Sequence, residues 1–471
     1  MTEHASGLTD PASVPVVPRD GLATVAVGTE REAAHLVSDS LGRTVARVAL
    51  PAVASSLLMT LFASVDAFWV GTRLGAGGLA AVSTSLFWIW MIVSLAEMIS
   101  VGLTAVAARR YGEGRSSDAA RVAGDALIFT LALGLLVAAL GLLFLPMLFR
   151  VMHTPVAVTE LGQRYLGTYL IGTPLIYGFF AVDASFRAAG DTRTPFLILA
   201  LSVAVTLVLD PLLILGRGPF PALGIAGAAI ATLLTRGTAF VIGSAIAIRR
   251  GHVRFGRLHR PSIVAVCRVG LPTAVTGIAF SLIYVLITRS TTRFGTPALA
   301  ALGIGHRVES WLYMIGVGFG AATAAIVGQN LGAGRTDRAE RAGWLAVALC
   351  TMLGLVACIS ELLYADRFAM LFTRDAAVIA ESARYLRIAA VSQLAICAEI
   401  VLEGALGGAG ETLPPMLAST AITASRVPLV GWSATRWGSS GIWWTISLTA
   451  IARGLAMVVL WKRGRWKERR V

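Results

Sequence analysis

The chain has 471 residues, of which 56% are apolar and only 14% charged, with a mean hydropathy of +0.75. Soluble domains carry about 25% charged residues, so a water-soluble globular protein is excluded. Forty basic against 26 acidic side chains leave a formal charge of +14; because the arginines punctuate long apolar runs, this charge implies anionic lipid headgroups as partner and no nucleic acid.

Residues 1–44 are mixed in charge, include Pro11, Pro15 and Pro18, and hold no apolar core long enough for a signal peptide. They read as a cytoplasmic tail. A helix needs about 20 apolar residues to cross the hydrocarbon. Twelve stretches meet that need, near 45–71, 78–107, 123–147, 163–188, 193–215, 222–248, 266–290, 298–328, 343–365, 384–408, 413–434 and 440–461. The predicted fold is therefore an all-α polytopic membrane protein. It has a six-helix lobe at 45–248, a basic cytoplasmic linker at 249–265, a second six-helix lobe at 266–461 and a basic cytoplasmic tail at 462–471. Arginines crowd the same side of the spans: Arg109, Arg110 and Arg115, then Arg249, Arg250 and Arg254, then Arg335, Arg338 and Arg341. By the positive-inside rule both termini are cytoplasmic.

Cys267, Cys350, Cys358 and Cys397 lie scattered in or near apolar runs and read as small buried hydrophobes. Their spacing suggests neither a metal site nor a disulfide framework. Of the histidines, His306 is the one near a span. No metal ligand set and no cofactor is expected.

The two halves repeat at an offset of about 220 residues. The stretch from Arg47, RVALPAVASSLLMTLF, matches RVGLPTAVTGIAFSLI from Arg268, and LAAV at Leu79 matches LAAL at Leu299. Gly112-Glu113-Gly114-Arg115 matches Gly332-Ala333-Gly334-Arg335, and Gly190-Asp191-Thr192 matches Gly410-Glu411-Thr412. Near the end Gly224 aligns with Gly441, which pairs Arg236 with Arg453. Six spans per half is an even number, so both halves enter the membrane from one side and are related by a pseudo-twofold axis along its normal. Two such lobes can rock about a central cleft.

With these motifs the chain resembles the multidrug and toxic compound extrusion (MATE) transporters, in particular their DinF-like branch, from about Arg43 to Arg463. The resemblance is carried by Leu209-Asp210-Pro211-Leu212-Leu213-Ile214, by Gly224-Ile225-Ala226-Gly227, by Arg187 to Pro195, and by Val327-Gly328-Gln329-Asn330-Leu331-Gly332. It implies an antiporter of the bacterial inner membrane that works as a monomer. Such a protein expels small, cationic, amphipathic organic compounds in exchange for protons, or failing that sodium. The resemblance places ion coupling in the first lobe at Asp66 and Asp210, with Thr206 standing where the family often has Asn and Thr232 matching a sixth-span threonine. It also matches Glu403 to a tenth-span acid, while Phe280 stands where other branches have a seventh-span acid.

Physical chemistry supports attention to these acids. A carboxylate in mid-membrane is costly, and desolvation penalises its charged form, so it can take up and release a proton as its surroundings change. At about 1.5 Å per residue, Asp66 and Asp210 lie at similar depth on the outer side of the midplane, with Thr206 and Thr232 closer in. Asp183 and Glu403 occupy equivalent repeat positions on the inner side and are secondary candidates, with Arg187 available to Asp183 four residues on. Glu97, Glu309 and Glu399 also fall inside spans. Arg236, Arg426 and Arg453 are expected in salt bridges to such acids or reaching for the inner surface. Three alternatives stand beside the antiporter: a flippase for a lipid-linked precursor, a membrane-embedded enzyme, and a channel.

Overall fold

In hydrocarbon every backbone N–H and C=O needs a partner within the protein, and the helix supplies it locally. The computed structural model describes residues 36–152, 156–216 and 220–469, without the side chains at 63, 65–68, 71–77, 79–80, 83 and 157. Among the described residues the regular structure is helical, with no strand.

The helix Leu41–Gly112 carries two crossing stretches, Leu41–Phe62 (α1) and Thr84–Gly112 (α2). Then follow α3 (Ser116–Val151), α4 (Val156–Ala189), α5 (Arg193–Leu215) and α6 (Ile225–Arg249), which complete the first lobe. The second begins with α7 (Arg260–Thr291), which turns through a short 3₁₀ segment, Thr292–Phe294, into α8 (Gly295–Gly332). Gly295 sits at φ +81°, a left-handed conformation in which a side chain would be strained. Next come α9 (Thr336–Met370) and α10, whose halves Ala376–Ala390 and Gln393–Gly408 meet at 57°. The last helix, Leu413–Arg463, is divided at Gly438, φ +59°, into α11 (residues 413–437) and α12 (residues 439–463). The described chain thus makes twelve crossings. Bulky apolar side chains such as Leu143, Leu201 and Val356 stay exposed on the outer faces, where lipid is the solvent.

Three expected boundaries move. Helix α1 begins at Leu41, inside the stretch read as tail at 1–44. The linker read as 249–265 shrinks to the ten residues between Arg249 and Arg260, because Pro261 opens α7 at the position where a missing N–H costs nothing. That linker is also held against the first lobe. The Arg254 amide donates to the Ala120 carbonyl at 2.9 Å, and Gly124 leaves room for the Arg254 carbonyl.

His252 in this linker is fully buried, edge-on to Phe186 at 5.3 Å and 3.4 Å from the Tyr111 hydroxyl. Burial pushes it from 6.5 down to about 4. Between those values the unfolded chain binds the proton and the folded chain does not, so stability present above pH 6.5 is lost as pH falls toward 4. At about 1.4 kcal/mol per pH unit, that loss amounts to roughly 3 kcal/mol. Thermal unfolding in detergent at pH 7 and pH 4.5 checks it: His252→Phe should lose clearly less stability over that interval than the wild type.

The C-terminal tail is the third change. Helix α12 runs to Arg463, and Gly464 at φ +70° turns the chain back into a second short 3₁₀ segment, Arg465–Glu468. Trp466 is thereby buried, stacked on Trp461 at 4.0 Å, with its Nε1 donating to the Trp461 carbonyl at 2.9 Å. Lys467 reaches Glu340 at the start of α9 at 2.6 Å. Removing so large a buried ring costs about 3–5 kcal/mol. Trp466→Ala should therefore lower the unfolding temperature in detergent markedly, and Arg469→Ala, beyond the ring, should not.

The repeat is visible atom by atom. The Thr192 hydroxyl donates to the Val48 carbonyl at 2.9 Å, and the Thr412 hydroxyl to the Val269 carbonyl at 2.6 Å. Gly114 and Gly334 share φ values of +74° and +71°, Gly190 and Gly410 of +95° and +81°. The last pair of helices corrects the expected alignment. Gly224 matches Gly438 in backbone (φ/ψ 57°/−132° and 59°/−145°), and Gly227 packs on the Leu213 carbonyl as Gly441 packs on that of Ser433. The register is thus three residues off the sequence alignment, and Arg236 and Arg453 are not equivalent.

The lobes meet next to the termini through glycines. A Cβ at Gly270 (α7) would lie 1.8 Å from the Met98 carbonyl oxygen (α2), and one at Gly102 (α2) 2.0 Å from that of Val266. In pseudo-symmetric fashion Gly318 (α8) packs on Val53 (α1), and the ends of α2 and α8 cross where Gly112 and Gly332 meet the carbonyls of Gln329 and Arg109. The segment before α1 adds a clasp. Arg335 donates to the Val37 carbonyl at 2.9 Å, Arg338 to that of Asp39 at 2.5 Å, and Leu36 packs against Gly190.

Candidate functional site

Helix α5 places Asp210 near its C-terminal end, and the residue is fully buried. Pro211 follows, so the Leu207 carbonyl lacks its helical donor and the backbone is loosened beside the acid. One turn earlier on the same face stands Thr206, 1% exposed. Its Oγ1 lies 3.1 Å from the Thr235 Oγ1 on α6. Thr235 donates to the carbonyls of Ala231 (2.8 Å) or Thr232 (3.2 Å), which leaves it free to accept from Thr206.

The predicted pair Thr206 and Thr232 is thus brought together, but through Thr235. The bridging hydroxyl belongs to a residue not singled out in the sequence, although it lies three positions after Thr232 and so on the same helix face. Asp66 lies in the helix Leu41–Gly112, and its side chain is outside the described residues.

Arg236, next to Thr235, is buried without a salt bridge among the described residues. Its guanidinium lies over the rings of Phe62 and Phe179, at 5.1 and 5.4 Å, and 2.8 Å from the Met59 sulfur. The expectation of an acid partner is replaced here by aromatic faces, which attract a desolvated cation. Asp183 pairs with Arg187 at 3.1 Å on the same helix, and Arg187 also donates to the Ser100 hydroxyl on α2 at 2.5 Å. In the second lobe Arg453 pairs with Glu399 at 3.0 Å, and Glu403, half-buried one turn on, lies within electrostatic reach of Glu97 from the first lobe. Arg426 is held by the Thr449 hydroxyl at 2.7 Å.

A further polar cluster fills the second lobe. Tyr385 on α10 donates to Glu309 on α8 at 2.8 Å, and His306 stands edge-on to Tyr284 at 4.7 Å. Trp443 meets Tyr385 at 4.9 Å and donates to Glu381 at 2.9 Å. Behind them the Gln393 amide, at the break in α10, donates to both oxygens of buried Glu361 at 3.0 and 2.8 Å. Glu361 was not singled out in the sequence. It sits in an apolar stretch whose partner is 32 residues away, and nothing local marks it.

Two repeat-related six-helix lobes, joined at one end and carrying buried acids, define a multi-span membrane transporter of the lobed class. The chain belongs to the MatE family, whose profile matches it twice, over residues 51–212 and 272–431. Relatives include the probable multidrug resistance protein YoeA of Bacillus subtilis, 27% identical over 83% of this chain and 86% of that protein. A protein named FAD transporter from Shewanella oneidensis is also 27% identical, over 91% and 96%. Among solved structures, that of MATE in complex with MaL6 superposes with a TM-score of 0.84 at 24% identity, covering 92% of this chain and 98% of that one. A mutant of the Vibrio cholerae MATE transporter VcmN gives 0.83 at 20%, covering 95% and 100%. The fold is the twelve-helix, two-lobed fold of those transporters.

Proposed function

We propose that this chain is a secondary active antiporter that exports small, cationic, amphipathic organic compounds in exchange for protons, coupled through Asp210 and Asp66 of the first lobe. The observation that carries this reading is Asp210 itself. A fully buried carboxyl in a membrane helix, beside a proline-loosened turn and one turn from a hydroxyl pair, can take up and release a proton as its surroundings change. The resemblance to proteins named for multidrug resistance supports the substrate class and favours export over a lipid-precursor flippase. With both termini in the cytoplasm, the glycine-lined contact between the lobes lies on the inner side, which fits a state open to the outside, in which substrate leaves and protons enter.

Uptake into oriented vesicles tests the reading. A lipophilic cationic dye and FAD, chosen because one relative is named for it, are offered separately under an imposed pH gradient and an imposed sodium gradient. Accumulation of the dye driven by the pH gradient is expected. Transport of FAD alone would overturn the substrate class, and transport driven by sodium alone would overturn the proton.

A further inference from the structure

We propose that Glu309, held by Tyr385 and flanked by His306, is a proton-binding site of the second lobe, separate from the acid of the first. The inference rests on the proton-antiporter reading above and adds a second carrier group to it.

The site is built into the helix. Gly305 lies one turn before Glu309 on the same face of α8, and a Cβ there would stand 2.1 Å from Cε1 of Tyr385. A glycine inside a helix is otherwise a poor choice. Here it lets the tyrosine ring lie on the backbone of α8, which brings its hydroxyl to Glu309 Oε2 at 2.8 Å. The first lobe does not repeat these residues: at the repeat positions of Gly305 and Glu309 stand Ser85 and Ile89, while Tyr165 still answers Tyr385.

The occupant follows from the space and the donor set. Tyr385 and Trp443 are each 1% exposed and belong to a packed core with Ile283, Leu302 and Leu386, which leaves no room for an organic compound. One carboxylate and one phenol are too few oxygens for a metal ion, whereas a proton needs a single lone pair. Glu309 and His306 are only half-buried, and an edge left open in this way can exchange a proton wherever water meets it. A proton from that water binds the carboxylate while Tyr385 keeps its own, and the reverse step returns it to water. Among the described residues, the groups facing Glu309 are Tyr385 from α10, Arg426 from α11, Glu361 from α9 and Tyr284 from α7, with His306 on its own helix.

The infrared carboxyl band of the purified full-length protein, followed against pH, reads this site without any substrate. Glu309→Gln keeps the size of the side chain and an oxygen for Tyr385, and it should remove one carboxyl group from the titration. Tyr385→Phe should move the midpoint of that step and keep its amplitude. Asp210→Asn should leave the step in place. A titration from which Glu309→Gln subtracts nothing, or whose midpoint ignores Tyr385→Phe, overturns the proposal. Loss of the Glu309 step in a protein whose vesicle transport answers to sodium alone upholds the site and overturns the proton-antiporter reading, so the two fail separately.

Discussion

Asp210→Asn should reduce dye accumulation driven by a pH gradient by about tenfold or more, with dye binding to the detergent-solubilised protein retained. The amide preserves the size of the carboxyl and its hydrogen-bonding reach, and takes away only the ability to gain and lose charge. A driving ion shifts the conformational equilibrium by no more than its differential affinity for the two states, and a tenfold loss corresponds to about 1.4 kcal/mol of that coupling. Thr206→Val and Thr235→Val, which cut the hydroxyl chain beside the acid, should weaken transport less. If Asp210→Asn supported normal gradient-driven transport, the first-lobe site would be wrong, whatever the fate of Glu309.

The second large effect lies at the junction of the lobes. Gly270→Ala puts a methyl group 1.8 Å from the Met98 carbonyl oxygen, and Gly102→Ala puts one 2.0 Å from that of Val266. Both obstacles are backbone, so α2 and α7 must separate. Overpacking of this kind costs about 1–3 kcal/mol, and a bias of that size shifts an equilibrium by about 5- to 150-fold. Rocking of the proposed kind parts the lobes at these glycines, so the strain falls on the arrangement in which they touch. Transport should drop by a similar factor, and a cysteine reporter on the terminus-side end of the interface should label faster. Gly431→Ala is the control, since a Cβ there meets nothing within 4 Å; equal behaviour of the three variants would sink the idea.

The crossings were legible because apolar length is a strong local signal, and the repeat because short motifs recur in order. What escaped was set by contacts between distant segments. The linker reads as a basic cytoplasmic stretch, yet His252 fits between Phe186 and Tyr111. The tail reads as a charged run, yet one tryptophan within it folds back on Trp461. The last-helix alignment slipped by three because the Gly-Ile pairs at Gly224 and Gly441 match in letters. The backbone marks the helix starts at Gly224 and Gly438 instead. In the candidate site, Asp210 and Thr206 were found through family motifs and depth. Thr235 needed the facing of α5 and α6, and the Glu309–Tyr385 bond joins residues 76 apart.

The mirrored contacts of α2 with α7 and of α8 with α1 describe an isologous interface of the kind that joins two copies of one subunit. A six-helix ancestor could have worked as such a homodimer, with every residue forced to serve both sides. Fusion of the two genes ends that obligation. Each half then mutates alone, and a carboxyl can be kept where its twin becomes aliphatic: Asp210 opposite Val430, and Glu309 opposite Ile89. Duplication supplied the interface between the lobes, and divergence within a single polypeptide supplied the asymmetry of their acids.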